Sequence, residues 1–227
     1  MTRTKLIDRK LPDYSRGEEI FNMVSHIVGG GFGVIALILC VVVAAVCGNT
    51  WGIVSGAIYG ATMIVLYTMS SIYHGLKSEK AKKVFQVIDH CSIYFLIAGT
   101  YTPIAIGGQI REQNPVLAWI MFGIVWSACA VGVTLTAIDL EKYKVFSMIC
   151  YILMGWVVVF MIKPVLQILP IPAFWWLLSG GIAYTVGAVW YGIGKKKKWM
   201  HSVFHLFVLL GSILQFVCVV FYIIPGK

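Results

Sequence analysis

Two histidines one helical turn apart are the residues whose spacing points most directly to chemistry. On a helix, His201 and His205 share one face, where two imidazoles can hold a single metal ion. His74 is the candidate for a third ligand, because the hydroxyl residue Ser70 lies one turn before it. Three histidines and a water molecule form a catalytic zinc pattern. Nitrogen ligands favour zinc over magnesium or calcium and leave iron and manganese as alternatives.

Two further residues supply the groups that hydrolysis at such a site needs. Asp89 is the candidate to hold a water molecule and accept its proton, since zinc lowers the pKa of a bound water to about 7. Ser70 is the candidate to donate a hydrogen bond to a substrate carbonyl oxygen. Candidates for a second shell around the metal are the polar residues Glu19, Asn22, His26 and His90. Taken singly, His26 and His90 also fit interhelical hydrogen bonding.

The composition places these residues in a membrane protein. Of the 227 residues, 59% are hydrophobic and 12% are charged, and the mean hydropathy is +0.87. Soluble domains are about 45–50% apolar and about 25% charged, so lipid must solvate much of this surface. Membrane lipids are therefore the expected partners. The net charge of +9 lies mostly in the N-terminal segment and in short loops, which argues against nucleic acid as a partner.

Apolar runs free of charge predict seven transmembrane helices. A spanning helix needs roughly 20 apolar residues, and backbone groups in hydrocarbon must be bonded within the helix. The sequence therefore predicts an all-α polytopic fold with a cytoplasmic N-terminal segment at 1–19 and a single transmembrane domain at 20–227. The predicted spans cover residues 20–46, 51–75, 90–110, 113–138, 145–162, 172–194 and 199–226.

The basic residues set the predicted orientation. Seven crossings sort 15 Lys and Arg residues to the side of the N-terminus, including the run Lys195–Lys198, and three to the other side. By the positive-inside rule the N-terminus is cytoplasmic and the C-terminus is outside. All five histidines and Asp89 then lie at the cytoplasmic ends of their spans. Ionisable groups within spans are usually functional, so this convergence predicts a site at that depth.

The candidate residues fall in four stretches, at 18–29, 70–74, 89–103 and 201–216. Together these stretches resemble the bacterial hemolysin-III family, within the wider progestin and adipoQ receptor superfamily. The resemblance implies seven helices, a cytoplasmic N-terminus, a location in the bacterial plasma membrane and zinc near the inner leaflet. It implies that His74, His201 and His205 are the zinc ligands. It also implies that Asp89 holds a water molecule and that Ser70 lies near the site.

Three functions follow as alternatives. The first is a zinc-dependent hydrolase that cleaves a lipid amide or ester in the inner leaflet and contributes to membrane lipid homeostasis; alkaline ceramidases have a similar metal arrangement. The second is a non-enzymatic membrane sensor or regulator in which zinc holds helices together. The third, suggested by the family's name, is cytolytic perturbation of membranes, although the spans lack the charged rings that line many ion pores.

Overall fold

The structure is a computed structural model that describes residues 3–193 and 197–226, and these residues are helical with no strand. A 3-10 turn at Leu6–Asp8 comes first, and a π-helical turn at Val219–Ile223 follows the last helix. The end of the predicted sixth span at Gly194, with Lys195 and Lys196, lies outside the described residues. The α-helices in the described residues are α1 (Arg16–Val46), α2 (Thr50–Gly75), α3 (Glu79–Ile106), α4 (Gln109–Gln113), α5 (Pro115–Ile138), α6 (Leu140–Gly155), α7 (Val157–Phe160), α8 (Ile162–Ile168), α9 (Ile171–Ile193) and α10 (Met200–Cys218).

In the described part of the chain, five helices are long and apolar enough to cross a membrane. They are α1, α2, α5, α9, and α10 with its π-helical extension. Large apolar side chains such as Ile35 and Val42 on α1 are exposed, as expected where lipid rather than water is the solvent. The predicted all-α, multi-pass membrane fold is confirmed. The count of seven crossings and the orientation of the two termini stay predictions.

Short polar sequences place the ends of the helices. Ser15 begins α1 through a capping box: its hydroxyl accepts from the Glu18 N–H at 3.3 Å, and its N–H donates to the Glu18 carboxylate at 2.9 Å. Asn49 caps α2, and its amide donates to the carbonyls of Gly107 and Ile224 at 2.7 and 2.8 Å. Asn49 therefore joins the start of α2 to the end of α3 and to the end of the π-helical turn that follows α10.

Two helices begin before the predicted spans. The capping box starts α1 at Arg16 rather than at residue 20. Helix α3 starts at Glu79, well before the predicted start at residue 90, and its first turn is charged. Lys83 pairs with Glu79 across one helical turn, with an N–O distance of 2.7 Å. A hydropathy pattern detects only the apolar part of such a helix, whereas this i, i+4 pair stabilises the polar turns that precede it.

The predicted fifth span at 145–162 is interrupted in the structure, where α6, α7 and α8 follow one another. At the break between α6 and α7, the Tyr101 hydroxyl donates to the Gly155 carbonyl at 2.8 Å and accepts from the Val158 N–H at 3.1 Å. These two bonds satisfy backbone groups that a continuous helix would have paired internally. Tyr101, the side chain that pairs with these backbone groups, lies on α3. The apolar run at 145–162 therefore does not by itself predict the break.

Close contacts bring α1, α2 and α10 together. A methyl group on Gly60 of α2 would lie 2.5 Å from the Leu37 Cα on α1, so the two helices approach closely at this glycine. The Tyr67 hydroxyl of α2 donates to the Ser212 hydroxyl of α10 at 2.8 Å. Near the start of α10, the Trp199 N–H donates to the Glu18 carboxylate of α1 at 2.6 Å. The first turns of α1 and α10 therefore meet at the end of the bundle where α2 terminates.

Candidate metal centre

Three histidine side chains converge at this end of the bundle. His74 lies in the last turn of α2, and His201 and His205 lie in the first turns of α10. One ring nitrogen from each of them lies within 4.8 Å of the other two. The Nε2 atoms of His201 and His205 are 3.0 Å apart, which confirms that the two imidazoles share one helix face. The group could therefore hold a metal ion, as the sequence predicts.

Glu19 orients the His74 imidazole. Its Oε2 atom lies 2.6 Å from His74 Nδ1, and its Oε1 atom accepts from Lys82 Nζ at 2.6 Å. A carboxylate next to a lysine is an acceptor only, so Nδ1 carries the imidazole proton and donates it. In the neutral ring the lone pair is then on Nε2, which is buried without a hydrogen-bond partner. A carboxylate behind a ligating histidine is the usual way that proteins fix the tautomer at a metal site.

The spacing and chemistry of these donors fit a metal ion. Tetrahedral coordination with bonds of about 2.0–2.1 Å places ligand nitrogens about 3.3–3.4 Å apart, close to the 3.0 Å between the two Nε2 atoms. The Nε2 atoms of His201 and His205 lie within hydrogen-bonding distance of each other, and the Nε2 of His74 beside them is buried without a partner. A metal ion would engage all three nitrogens at once.

Asp89 and Ser70 lie beside the three histidines. Ser70 precedes His74 by one turn on α2, and Asp89 faces it from α3. The Asp89 carboxylate interacts with the Ser70 hydroxyl and with the imidazoles of His74 and His90. Both Asp89 and Ser70 are buried. The structure thus brings together the residues predicted from the sequence for proton transfer and for hydrogen bonding to a carbonyl, and their catalytic roles stay predictions.

The other second-shell candidates take different positions. The His26 ring stacks on the His205 ring with a centroid distance of 3.8 Å, and both ring nitrogens of His26 are buried without a partner. Asn22, one turn before His26 on α1, is fully buried. His90 Nδ1 lies 2.8 Å from the Gln86 carbonyl oxygen on its own helix and 3.9 Å from Asp89 Oδ2. Glu19 and His26 therefore contact His74 and His205 of the group, whereas His90 is linked to the site through Asp89.

Tyr14 is a residue of the site that the sequence does not point to. Its ring stacks on His201, with centroids 4.9 Å apart and an angle of 14° between the planes, and lies 5.8 Å from the His74 ring. Burial raises the pKa of the Tyr14 hydroxyl above its usual range, so this hydroxyl is a neutral group. The one feature of the sequence that could have indicated this role is the position of Tyr14 directly before the Ser15 cap. That cap places Tyr14 at the end of the bundle where α1 begins.

The fold and the site define a multi-pass helical membrane protein with a group of three histidines, two of them buried, near one end of its bundle. A family model described as "Haemolysin-III related" matches residues 14–216. The chain belongs to this family, as the sequence resemblance suggested.

Individual relatives agree with this assignment. The chain is 37% identical over 208 residues to "Hemolysin-3" of Bacillus cereus, which covers 92% of this chain and 93% of that protein. It is 37% identical over 205 residues to "Hemolysin-3 homolog" of Bacillus subtilis (strain 168), covering 90% and 94%. It is 27% identical over 176 residues to "Monocyte to macrophage differentiation factor" of Homo sapiens, covering 74% and 70%. The last match fits the wider superfamily.

Proposed function

We propose that this protein is a zinc-dependent hydrolase that cleaves an amide or ester bond of a membrane lipid. The observation that carries the proposal is the convergence of His74, His201 and His205 beside the Asp89 carboxylate. Three imidazoles are one of the ligand sets of catalytic zinc sites, which keep a fourth position open. When bound, zinc would polarise the carbonyl oxygen and lower the pKa of the attacking water.

The chain's own residues have separate roles in the proposed reaction. Asp89 accepts a proton as water adds to the carbonyl carbon, and it returns that proton to the leaving nitrogen or oxygen when the bond breaks. Ser70 donates a hydrogen bond to the carbonyl oxygen as negative charge develops there. Glu19 keeps the His74 lone pair on Nε2 through its contact with Nδ1.

A lipid substrate is supported by the surface next to the site. His205 is buried, but the next residue along α10, Leu206, is exposed, as is Leu210 one turn later. An acyl chain in the bilayer can lie along these side chains while its polar linkage approaches the histidines. The predicted cytoplasmic depth of the site would place that linkage near the inner headgroup layer.

Purified protein with quantified metal content tests the proposal against a panel of N-acyl and ester-linked lipids, with fatty acid release as the readout. We expect Asp89→Asn to keep its zinc and to lose about 10²–10⁴-fold in turnover, the usual contribution of a general base. Asp8→Asn makes the same change at an exposed position and serves as the control. No release from any panel lipid by zinc-loaded protein would refute the proposed activity, and loss of zinc in Asp89→Asn would make Asp89 a ligand instead.

A second candidate function is a membrane regulator in which the metal joins helices. It is favoured by the origin of the ligands, since His74 and His205 come from α2 and α10, which are distant along the chain. In that case chelation lowers the melting temperature sharply, and Asp89→Asn behaves like wild type in cells. A melting temperature that chelation leaves unchanged would argue against it. Structural zinc sites usually have four protein ligands, and three are present in this group.

Cytolytic activity is a third candidate, and it rests on the printed names of the two Bacillus relatives. Dye release from liposomes at a fixed protein-to-lipid ratio tests it. Leakage above that caused by an unrelated seven-span membrane protein is the expected result if the candidate is right. Leakage equal to that control removes it.

A further inference from the structure

The first described residues fold back onto the helix bundle. Residues 3–9, which we call the N-terminal strap, lie against α3 and the junction between α5 and α6. The Thr4 N–H donates to Asp139 Oδ2 at 2.7 Å, and Lys83 Nζ donates to the Ile7 carbonyl at 3.0 Å. The Thr4 N–H also holds the pKa of the Asp139 carboxyl below its usual range, so the attachment is to a carboxylate. The strap therefore has a defined position on the bundle.

A cavity of about 680 Å³ separates the strap from α3. The strap lines it with three cationic side chains, those of Arg3, Lys5 and Arg9. Helix α3 lines the opposite wall with Val84, Val87 and Ile88, of which Val84 and Ile88 are also exposed at the surface. The volume lies within the range of about 300–1,000 Å³ that is typical of small-molecule sites. One wall suits an anion and the other suits a hydrocarbon chain.

Arg9 is the informative side chain in this cavity. It is only 4% exposed, yet its Nε atom has no hydrogen-bond partner. No carboxylate forms an ion pair with it in the part of the chain that the structure describes. Asp139 is the carboxylate that interacts with the Arg9 charge, and its oxygens accept from the N–H groups of Thr4 at 2.7 Å and Lys142 at 3.2 Å. Arg9 therefore keeps a buried N–H donor at Nε that an anion in the cavity can accept from.

The guanidinium selects the type of anion. Its planar set of N–H donors matches two oxygens of a phosphate group, and lysine adds a point charge to the same group. The strap carries one further feature, Ile7, whose side chain is 80% exposed beside this cluster of cations. An exposed apolar residue among basic ones is typical of a segment that lies in the lipid headgroup layer.

We propose that the cavity between the strap and α3 binds the phosphate of an anionic phospholipid. The phosphate accepts hydrogen bonds from Arg9, with Arg3 and Lys5 at the rim, and an acyl chain lies along Val84 and Ile88. An anionic lipid is favoured over a zwitterionic one because three cations line the cavity and no acidic residue does. The predicted cytoplasmic location of the strap agrees, since basic segments on that side bind anionic headgroups.

Native mass spectrometry of the purified full-length protein in detergent tests this site. The probes are dioctanoyl phosphatidylglycerol, dioctanoyl phosphatidylcholine and inorganic phosphate. We expect wild type to bind the phosphatidylglycerol at least about tenfold more tightly than the phosphatidylcholine. Arg9→Gln should weaken phosphatidylglycerol binding by about tenfold or more, the usual effect of losing hydrogen bonds to a charged group.

Two more variants distinguish the loss of the binding site from a general loss of surface charge and from misfolding. Lys10→Gln removes the same charge from the adjacent exposed residue, and it should weaken binding by less than about twofold because salt screens an exposed charge. Val84→Glu places a negative charge on the apolar wall at an exposed helix position, and it should reduce phosphatidylglycerol binding while the melting temperature stays at the wild-type value.

Three results would overturn the proposal. Equal affinity for the two lipids would remove the anionic selectivity. Equal losses in Arg9→Gln and Lys10→Gln would reduce the effect to bulk charge. Competition by millimolar inorganic phosphate that fully displaces the phosphatidylglycerol would assign the cavity to a free phosphate ion rather than a lipid. None of these results depends on metal or on hydrolysis, so the proposed function stands or fails separately.

Discussion

Replacement of Glu19 tests whether the three histidines act as a metal site whose geometry is set from behind. Glu19 Oε2 lies 2.6 Å from His74 Nδ1, and loss of such a partner typically lowers metal affinity by 10- to 100-fold, or about 1.4–2.7 kcal/mol. Glu19→Gln keeps a neutral acceptor, and a charge-assisted bond is roughly twice as strong as a neutral one. We therefore expect about a tenfold loss in Glu19→Gln and a loss nearer 100-fold in Glu19→Ala.

The assay is a competition for zinc between the purified variants and a chromophoric chelator. Glu79→Gln is the matched control, because it makes the same change at a side chain that is 73% exposed on the same side of the molecule. Lys82 complicates the interpretation, since removing the Glu19 charge leaves its ammonium unpaired near the histidines. The double variant Glu19→Gln with Lys82→Met separates the two effects.

If the contact with Nδ1 is responsible, the double variant stays about tenfold weaker than wild type. If repulsion by Lys82 is responsible, the double variant regains wild-type affinity. Wild-type zinc affinity in Glu19→Ala would refute the reasoning altogether. It would mean that zinc binding by His74 Nε2 does not require Glu19 to fix the tautomer of the ring.

Three further predictions concern the cover of the site and the packing of the bundle. Tyr14→Ala should release metal to a chelator faster than wild type. Tyr14→Phe keeps the ring stacked on His201 and should release metal at the wild-type rate. Equal rates in Tyr14→Ala and wild type would show that the ring does not cover the site. Gly60→Ala should lower stability by about 1–3 kcal/mol in thermal unfolding, because its methyl group meets α1. Gly31→Ala, whose methyl group meets nothing within 4 Å, should not lower stability, because alanine is the better helix former. Tyr101→Phe leaves two backbone groups unpaired at the break after α6 and should cost about 1–3 kcal/mol per group; an unchanged melting temperature would mean that these groups find other partners.

The sequence predicted which histidines lie together better than it predicted the ends of the helices that carry them. His201 and His205 follow from their i, i+4 spacing, and His74 follows from its position at the end of an apolar run. These are local signals in the sequence. Because successive spans run in opposite directions, the same residues are expected at a common depth in the membrane. Asp89 and Glu19 enter the prediction in the same way, since each is an acidic residue at the start of a span.

Features that depend on pairing between helices could not be predicted in this way. The interruption of the predicted fifth span is stabilised by Tyr101 on α3, and the tautomer of His74 is set by Glu19 on α1. In each case the decisive hydrogen bond joins residues more than 50 positions apart. Periodicity within one span contains no information about such a partner, although it does identify the polar residues available to serve as one.

The N-terminal segment shows what a prediction based on hydropathy leaves out. It was predicted only as a charged cytoplasmic extension, yet its two ends contact different parts of the bundle. The strap lies over the basic cavity, and Tyr14 lies over His201 and His74. Only residues 10–13 connect them, and Pro12 restricts that connection. If both sites are occupied as proposed, a shift of the strap moves the cover of the histidines. Because coupling between binding free energies is reciprocal, a lipid that raises the affinity for the metal must itself be bound more tightly, by the same factor, when the metal is present.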